Sequence, residues 1–473
     1  MSQLPTFSML IDGKLVQAAN TLPVTNPATG QVFANAPDAS PAELDLAVDA
    51  ARRAFPAWRE TPLARRAELL AKFGQVLAAN IPVLQGLLTQ EQGKTLSDAA
   101  TEVGIASFWS QAVAAMPIPE TVNEDNETRF SVTKHVPLGV VAAIVPWNFP
   151  LGVAIWKLAP ALLTGNTLVL KPSPYTPLAT LKMGEIARDV FPPGVLNIIS
   201  GGDQLGPQMT EHPGFDKVSF TGSTATGRRV MQSAAATLKR LTLELGGNDA
   251  AIVRPDVDVV EVAPKLFWSA FANSGQICIA TKRLYIHNDI YDELSAAIAE
   301  VARGVKVGDG SDESVQLGPV QNRVQYDRVV DLITDCKKNG LRFLTGGEVD
   351  ESADGNFIPI SLVDNPPDDS RVVAEEAFGP LLPLLRYTDD DEVVRRANDT
   401  PYGLAGSVWS RDIKAAAELA ERLDTGTVWI NECQYIVPNA VFAGHKQSGI
   451  GVEHGVEGLL EFTVPRTIVR PAV

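Results

Sequence analysis

Gly139-Val140-Val141-Ala142-Ala143-Ile144-Val145-Pro146-Trp147-Asn148-Phe149-Pro150 is the stretch from which the fold is read. A short apolar run ends in a Pro-bounded turn, and a helical segment from Trp156 to Leu163 follows. Similar runs recur at Thr167 to Leu170, Val195 to Ile199 and Lys217 to Phe220, separated by helical segments at Leu178 to Val190 and Asp203 to His212. Short apolar runs bounded by turn residues suit strands buried on both faces. Their alternation with helices implies βαβ units and a parallel sheet. The pattern resumes after Gly247, with strands at Ala250 to Val253, Arg283 to Ile286 and Thr425 to Ile430, so two α/β units meet near Gly246-Gly247.

Upstream, the first hundred residues read mainly as helices. Ser40-Pro41-Ala42-Glu43 is a capping box with Pro at the first helical position, and Thr61-Pro62 opens a second helix across Arg65 to Ala79. Thr128 to Lys134 alternates like a strand among the polar residues Asn123 to Glu127, and Glu461 to Val469 is strand-like too. The first of these reads as an extended strand standing off the main body, and exposed strand edges invite pairing with another chain.

Composition limits the partners. The net charge of −16, from 40 Lys+Arg against 56 Asp+Glu, argues against nucleic acid and against an anionic membrane, since either needs a basic face. Cys278, Cys336 and Cys433 are too few, and odd in number, for a disulfide framework, so a reducing cytoplasm is the natural setting. The opening residues, Met1 to Ser8, lack the features of a signal peptide. Val136 to Trp156 carries no charge and is long enough to span a bilayer, but Pro137, Pro146, Pro150 and Asn148 interrupt it. The histidines are scattered, and no cluster has metal-ligand spacing, so no metal is expected.

Three segments carry chemistry. Cys278, in Ser274-Gly275-Gln276-Ile277-Cys278-Ile279-Ala280, is a nucleophile once it is a thiolate. Glu244, in Leu243-Glu244-Leu245-Gly246-Gly247, is a candidate general base, because desolvation raises a carboxyl toward neutrality. Asn148 offers an amide that could hold a developing oxyanion. Singly, each has a plainer reading: a core cysteine, a turn glutamate, a turn-forming asparagine. A fourth segment weighs against coincidence. Phe220-Thr221-Gly222-Ser223-Thr224-Ala225-Thr226-Gly227 follows a strand and opens a helix, whose free N–H groups and positive dipole end suit a pyrophosphate. It is not the G-x-G-x-x-G fingerprint, but it lies one βαβ unit after Leu170-Lys171-Pro172-Ser173-Pro174.

Together these segments resemble the aldehyde dehydrogenase superfamily, from Asn26-Pro27-Ala28-Thr29-Gly30 to Phe442-Ala443-Gly444-His445-Lys446-Gln447-Ser448-Gly449. The resemblance implies an α/β fold of two Rossmann-like open-sheet domains plus a β oligomerisation arm. Residues 1–119 and 138–246 would bind the cofactor, with 440–460 returning to that domain; 247–439 would be catalytic; 120–137 and 461–473 would form the arm of a homodimer or homotetramer. The activity implied is oxidation of a small-molecule aldehyde with NAD(P)+, through a thiohemiacetal and then a thioester on Cys278. Asn148 and the Cys278 N–H would hold the oxyanion, Glu244 would activate water, and Lys157 and Glu453 would relay its proton.

The same resemblance places the cofactor against Ile144, Val145, Pro146, Trp147, Lys171, Ser173, Gly202, Gly206, Phe220, Thr221, Gly222, Ser223, Leu245 and Gly246. Within Glu375-Glu376-Ala377-Phe378-Gly379-Pro380 it adds Glu376 and Phe378. The substrate tunnel would be lined by Val153, Trp156, Ile277, Ile279, Ile436 and Phe442. Three departures bear on specificity. Pro174 stands where many NAD-preferring members have a Glu that repels a 2′-phosphate, so NADP is admitted. NAD is still preferred, because no Arg stands between Lys171 and Thr176. Val441-Phe442-Ala443-Gly444 and Gly451-Val452-Glu453 replace Pro-Phe-Gly-Gly and Gly-Arg-Glu at the tunnel entrance or the subunit contact. No Arg or Lys is expected to be placed to hold a substrate carboxylate, apart from Lys157, which should turn away from the mouth. The substrate read from this is an uncharged apolar aldehyde, medium-to-long aliphatic or aromatic. The alternatives are a semialdehyde or betaine-type aldehyde, a coenzyme A-acylating reaction, which Glu244 disfavours, and a non-catalytic relative, which would be expected to lack Cys278, Glu244 or Asn148.

Overall fold

The computed structural model describes residues 4–472. Met1 to Gln3 of the leader reading and Val473 of the arm lie outside the described residues. The chain does not open on helices. Residues 9–38 form four strands, Met9–Ile11, Lys14–Val16, Asn20–Thr25 and Val32–Asp38, and the first helix is Pro41–Glu60. The signal for the first hairpin was in the sequence: Asp12-Gly13 sits between apolar runs and takes positive φ at both positions (53° and 72°). The pairing that fixes these strands is tertiary, since Leu10 pairs with Ile198. Ser40 and Glu43 form the expected capping box on Pro41–Glu60, and Leu63–Ala79 follows Pro62.

One eight-stranded sheet carries the order Lys14–Val16, Met9–Ile11, Leu196–Ile198, Thr167–Lys171, Val140–Ile144, Lys217–Thr221, Arg240–Glu244, Gly449–Ile450. Its five central members are parallel. A seven-stranded sheet runs Phe343–Thr345, Ser361–Asp364, Leu381–Tyr387, Thr281–His287, Asp249–Val253, Ala405–Trp409, Thr427–Ile430, and all but its first strand are parallel. The crossover from one sheet to the other is the short link between Glu244 and Asp249. The residues from Val140 to Ile144 are buried without exception, as expected of a strand covered on both faces.

The segment expected as one extended strand is a hairpin, Thr121–Asp125 with Arg129–Pro137. Asn126 turns it, its side-chain oxygen accepting from the N–H groups of Thr128 and Arg129. Thr463–Pro471 adds a third antiparallel strand, in register from Thr463 opposite Pro137 to Pro471 opposite Arg129. The uncharged stretch 136–156 is a strand end, a strand, a turn and a helix start. Among the described residues no single helix is long and apolar enough to cross a membrane.

Asn166 ties these parts together. Its Oδ1 accepts from the Gly139 N–H at 2.8 Å, and its Nδ2 donates to the Phe462 carbonyl and the Thr164 hydroxyl, each at 2.8 Å. The residue is wholly buried, so water cannot replace it. Asn166→Ala should therefore lower the stability of the first sheet by roughly 3 kcal/mol, from stranded buried donors and acceptors. Thermal unfolding checks this; an unchanged midpoint would mean that the Gly139 and Phe462 groups find other partners.

Candidate active site

Ligands of open α/β sheets bind beyond the carboxyl ends of the strands. Three neighbouring strands of the first sheet deliver their ends together, with Phe220 beside Ile144 and Thr221 beside Glu244 in the ladder. Val140–Ile144 runs out into the turn carrying Asn148, Lys217–Thr221 into the helix start at Ser223, and Arg240–Glu244 ends on Glu244 itself. The adjacent Gly449–Ile450 strand braces Glu244 by antiparallel pairing, and the Leu245 N–H donates to the Ser448 carbonyl at 2.8 Å.

Cys278 comes from the second half of the chain. The helix Val259–Phe271 gives way to a knot in which Asn273, Ser274 and Gly275 all take positive φ (50°, 57° and 73°). Gly275 must be glycine, because a Cβ there would run into the Gly379 carbonyl. Gln276 locks the turn through the Asn273 carbonyl (2.8 Å) and the Gln321 N–H (2.8 Å). The Lys282 ammonium donates to the Ile277 carbonyl at 2.6 Å. Asn148 Nδ2 donates to the Gln276 carbonyl at 2.9 Å, which fastens the amide beside the cysteine loop.

A cavity of about 710 Å3 joins these groups. Of the residues expected at the site, its walls hold Pro146, Trp147, Asn148, Val153, Trp156, Thr221, Gly222, Ser223, Glu244, Leu245, Gly246, Ile277, Cys278, Ile279, Glu376, Phe378, Ile436, Phe442 and Glu453. Lys157 lies behind the wall, fully buried, donating to Glu453 (2.7 Å) and Ser219 (3.2 Å). Ile144, Val145, Phe220, Lys171, Ser173, Gly202 and Gly206 lie outside the walls. Ile144 and Phe220 are in the strands behind them, Val145 just past its strand end, Lys171 and Ser173 at the end of the next strand, and Gly202 and Gly206 beyond Leu196–Ile198.

The dinucleotide side fits a pyrophosphate-bearing cofactor. Ser223 caps Thr224–Ala234 by accepting from the Thr226 N–H. The Thr221 hydroxyl is buried without a partner. Backbone approaches closely at Gly222, where a Cβ would stand 2.6 Å from the Phe220 ring, and at Gly246, where it would collide with Glu376. Glu376 is held by the Gly247 N–H at 3.1 Å, and Phe378 packs edge-on against Trp147 at 5.3 Å.

Two cations line the cavity, Lys94 and Arg328, each beside a carboxylate, Glu102 and Glu375 respectively. They come from segments far from the cysteine in sequence, and only folding brings them in. Glu102, Ile105 and Trp109, from the helix Leu96–Ala114, also line it without having been anticipated. A weak signal existed, since Glu102 and Trp109 stand among mostly apolar or small residues and recur two turns apart on one helix face.

The family model described as the aldehyde dehydrogenase family matches residues 15–468. The chain belongs to the aldehyde dehydrogenase family. An aldehyde dehydrogenase of a Fusarium species is 42% identical, covering 98% of each chain. A phenylacetaldehyde dehydrogenase of Pseudomonas fluorescens is 37% identical, covering 98% of this chain and 95% of that one. A Bacillus cereus aldehyde dehydrogenase solved with NAD+ is 35% identical and superposes with a TM-score of 0.96, over 98% of this chain and 96% of that one. This aldehyde dehydrogenase is thus an NAD(P)-dependent oxidoreductase acting on small aldehydes.

The electrostatics of its cavity favour neutral groups. Burial pushes the Cys278 thiol up to about 12; the Lys282 charge opposes this, and the carboxylates of Asp249, Glu244 and Glu376 reinforce it. Glu244 is raised well above the carboxylate range by burial and by Glu453, against Lys157, and neither of its carboxyl oxygens has a hydrogen-bond partner. In the free enzyme at neutral pH, Cys278 is therefore a thiol. Alkylation of Cys278 by iodoacetamide, read by mass spectrometry on the free enzyme, should rise about tenfold per pH unit from 7 to 10 without a plateau, following the thiolate fraction. Lys282→Met should slow it further at every pH. A plateau below pH 8 would show that burial is not the dominant influence.

Proposed function

We propose that the enzyme oxidises an uncharged apolar aldehyde, aromatic or medium-to-long aliphatic, with NAD+ preferred over NADP+. The observation that carries this reading is the continuity of the cavity from Cys278 into walls of Val153, Trp156, Ile277, Ile279, Ile436 and Phe442. Trp109, Trp156, His454 and Phe442 form one aromatic cluster, with Trp109 and Trp156 centroids 5.8 Å apart. Neither cavity cation is available to a substrate carboxylate: Lys94 is paired with Glu102, and Arg328 with Glu375. Each methylene buried in such walls contributes about 0.8 kcal/mol. That a relative acts on phenylacetaldehyde agrees with an aromatic substrate.

In the reading we favour, Cys278 loses its thiol proton to solvent and attacks the carbonyl carbon as the thiolate, and the oxygen takes up negative charge beside Asn148 Nδ2 and the Cys278 N–H. When bound, the nicotinamide supplies the hydride acceptor. The acyl group is left on Cys278 as a thioester. Glu244, its carboxyl raised by burial and by Glu453, takes a proton from water, and the hydroxide attacks the thioester and releases the acid. Its proton passes to Glu453 and Lys157, whose ion pair at 2.7 Å lies against the same cavity. At the adenosine end, Asp203 and Asp38 face Lys171, which burial holds down at about 8. These two carboxylates, in place of the Glu missing at Pro174, disfavour a 2′-phosphate. The arm would pair copies into a dimer or tetramer through exposed apolar residues such as Val122, Ile468 and Val469. A reducing cytoplasm suits its free cysteines.

Cys278→Ala should abolish turnover while leaving NAD+ binding intact, and Glu244→Gln should give a burst of NADH followed by slow turnover. Each steady-state loss should be roughly thousandfold. Steady turnover by Cys278→Ala would refute the thioester route.

Substrate class is tested by kcat/KM for propanal, octanal, benzaldehyde, phenylacetaldehyde, succinic semialdehyde and betaine aldehyde, with each cofactor. Octanal and the aromatic aldehydes should lead, and NAD+ should exceed NADP+. A charged substrate leading by about tenfold, which is about 1.4 kcal/mol, would overturn the apolar reading.

A further inference from the structure

The cavity wall contains an ion pair to which the chemistry above gives no task. Lys94 and Glu102 are 2% and 1% exposed, and Lys94 Nζ lies 2.5 Å from Glu102 Oε2. A buried ion pair is a poor way to gain stability, because apolar residues of similar volume often serve as well or better. Its reason is therefore sought in what else the two groups hold.

Each holds one side of the Asn148 turn. Lys94 Nζ also donates to the Asn148 backbone carbonyl at 2.9 Å, and it stands 3.9 Å from the centre of the Phe149 ring. Glu102 Oε1 accepts from the N–H groups of Leu151 (2.9 Å) and Gly152 (3.1 Å). Those are orphan donors at the start of Gly152–Leu163, a helix whose own N-cap residue, Leu151, makes no side-chain cap. The pair thus spans residues 148–152, clamping the carbonyl of the residue whose amide is the oxyanion donor and the start of the helix that carries Val153, Trp156 and Lys157.

Lys94 is in turn fixed to the part of the chain that bears the nucleophile. The backbone of Gly93 and Lys94 lies so close to Gly310 and Gly318 that a Cβ on either would collide with a carbonyl of that segment. The Gly318 carbonyl accepts from the Ser274 hydroxyl at 2.7 Å, four residues before Cys278. A continuous set of contacts therefore runs from the cysteine loop through Gly318 and Lys94 to Asn148.

We infer that Lys94 and Glu102 are positioning residues for the oxyanion amide: the pair sets where Asn148 Nδ2 lies relative to Cys278. This rests on the reading of Asn148 as oxyanion donor. Neither side chain touches the reacting atoms. Their effect belongs in the acylation rate more than in cofactor affinity, since their bonds reach residues 148–152, whereas Thr221, Gly222 and Ser223 of the pyrophosphate side lie at the end of a different strand.

The test is a mutant cycle on the full-length enzyme. It compares Lys94→Arg, Lys94→Met/Glu102→Gln, Asn148→Ala, and the triple variant, by the pre-steady-state rate of NADH formation, the NAD+ dissociation constant and the thermal midpoint. Lys94→Arg keeps the charge pair and tests geometry alone. The Lys94→Met/Glu102→Gln variant removes both charges together, so no unpaired buried charge remains to unfold it. Displacing a catalytic group by about 1 Å costs up to ~100-fold. Both are therefore expected to slow NADH formation by about 10-fold to 100-fold, with KM and NAD+ affinity within about threefold of the parent. In the Asn148→Ala background the pair substitutions should cost nearly nothing more, because the amide they position is gone. Undiminished NADH formation in Lys94→Arg and in the Lys94→Met/Glu102→Gln variant would overturn the inference, as would a full additional loss on top of Asn148→Ala. If Asn148→Ala itself forms NADH at the parental rate, it is the oxyanion reading that fails.

Discussion

Parallel hydrogen bonding among Val140–Ile144, Lys217–Thr221 and Arg240–Glu244 is the constraint on which the site depends. Neighbouring strands lie about 4.8 Å apart. Three strands in register therefore hold three carboxyl ends within the reach of one small ligand. The register places Thr221 level with Glu244 and Phe220 level with Ile144. A slip of one residue would turn every side chain to the opposite face. Val140–Ile144 is buried along its whole length and Lys217–Thr221 nearly so, so a slipped register would set a different row of side chains against the packing on each face.

The second constraint is the low dielectric of the cavity. Asn148, Lys157, Glu244 and Glu453 are buried and Cys278 is half-buried, and burial favours the neutral form of each ionisable group. Cys278 and Glu244 are both pushed upward in the free enzyme. Lys282 is the cation that opposes this at Cys278, and Lys157 the one that opposes it at Glu244. Cys278 and Glu244 thus share one cavity, each shifted toward its neutral form and each with one buried lysine opposing the shift.

Several buried polar atoms around the cavity have no protein partner: both oxygens of Glu244, Glu453 Oε2, Thr221 Oγ1, Trp156 Nε1 and His454 Nε2. Buried polar groups are normally satisfied, and leaving one bare costs about 1–3 kcal/mol. Their concentration at one place is the mark of a site shaped for ligand and solvent and not for its own stability. Asn166, by contrast, is fully satisfied, serving four polar groups through one amide.

Much of this was legible in the sequence. The alternation of apolar runs and helices gave the parallel sheets, and the Cys278, Glu244, Asn148 and Ser223 segments gave the members of the site, because local pattern and residue chemistry suffice for both. The strands at residues 9–38 fall in a stretch that reads mainly as helices, even though the Asp12-Gly13 hairpin turn is visible, since short strands gain their stability from a distant partner such as Ile198. Lys94, Glu102 and Trp109 stayed hidden for the same reason: nothing local tells a helical Glu that it will cap another helix, or a Lys that it will reach a carbonyl at Asn148. Sequence determines which groups exist and which strands carry them. Which of them meet, and which charges are cancelled on meeting, is decided by long-range packing, because burial and pairing are properties of the assembled interior and not of any segment alone.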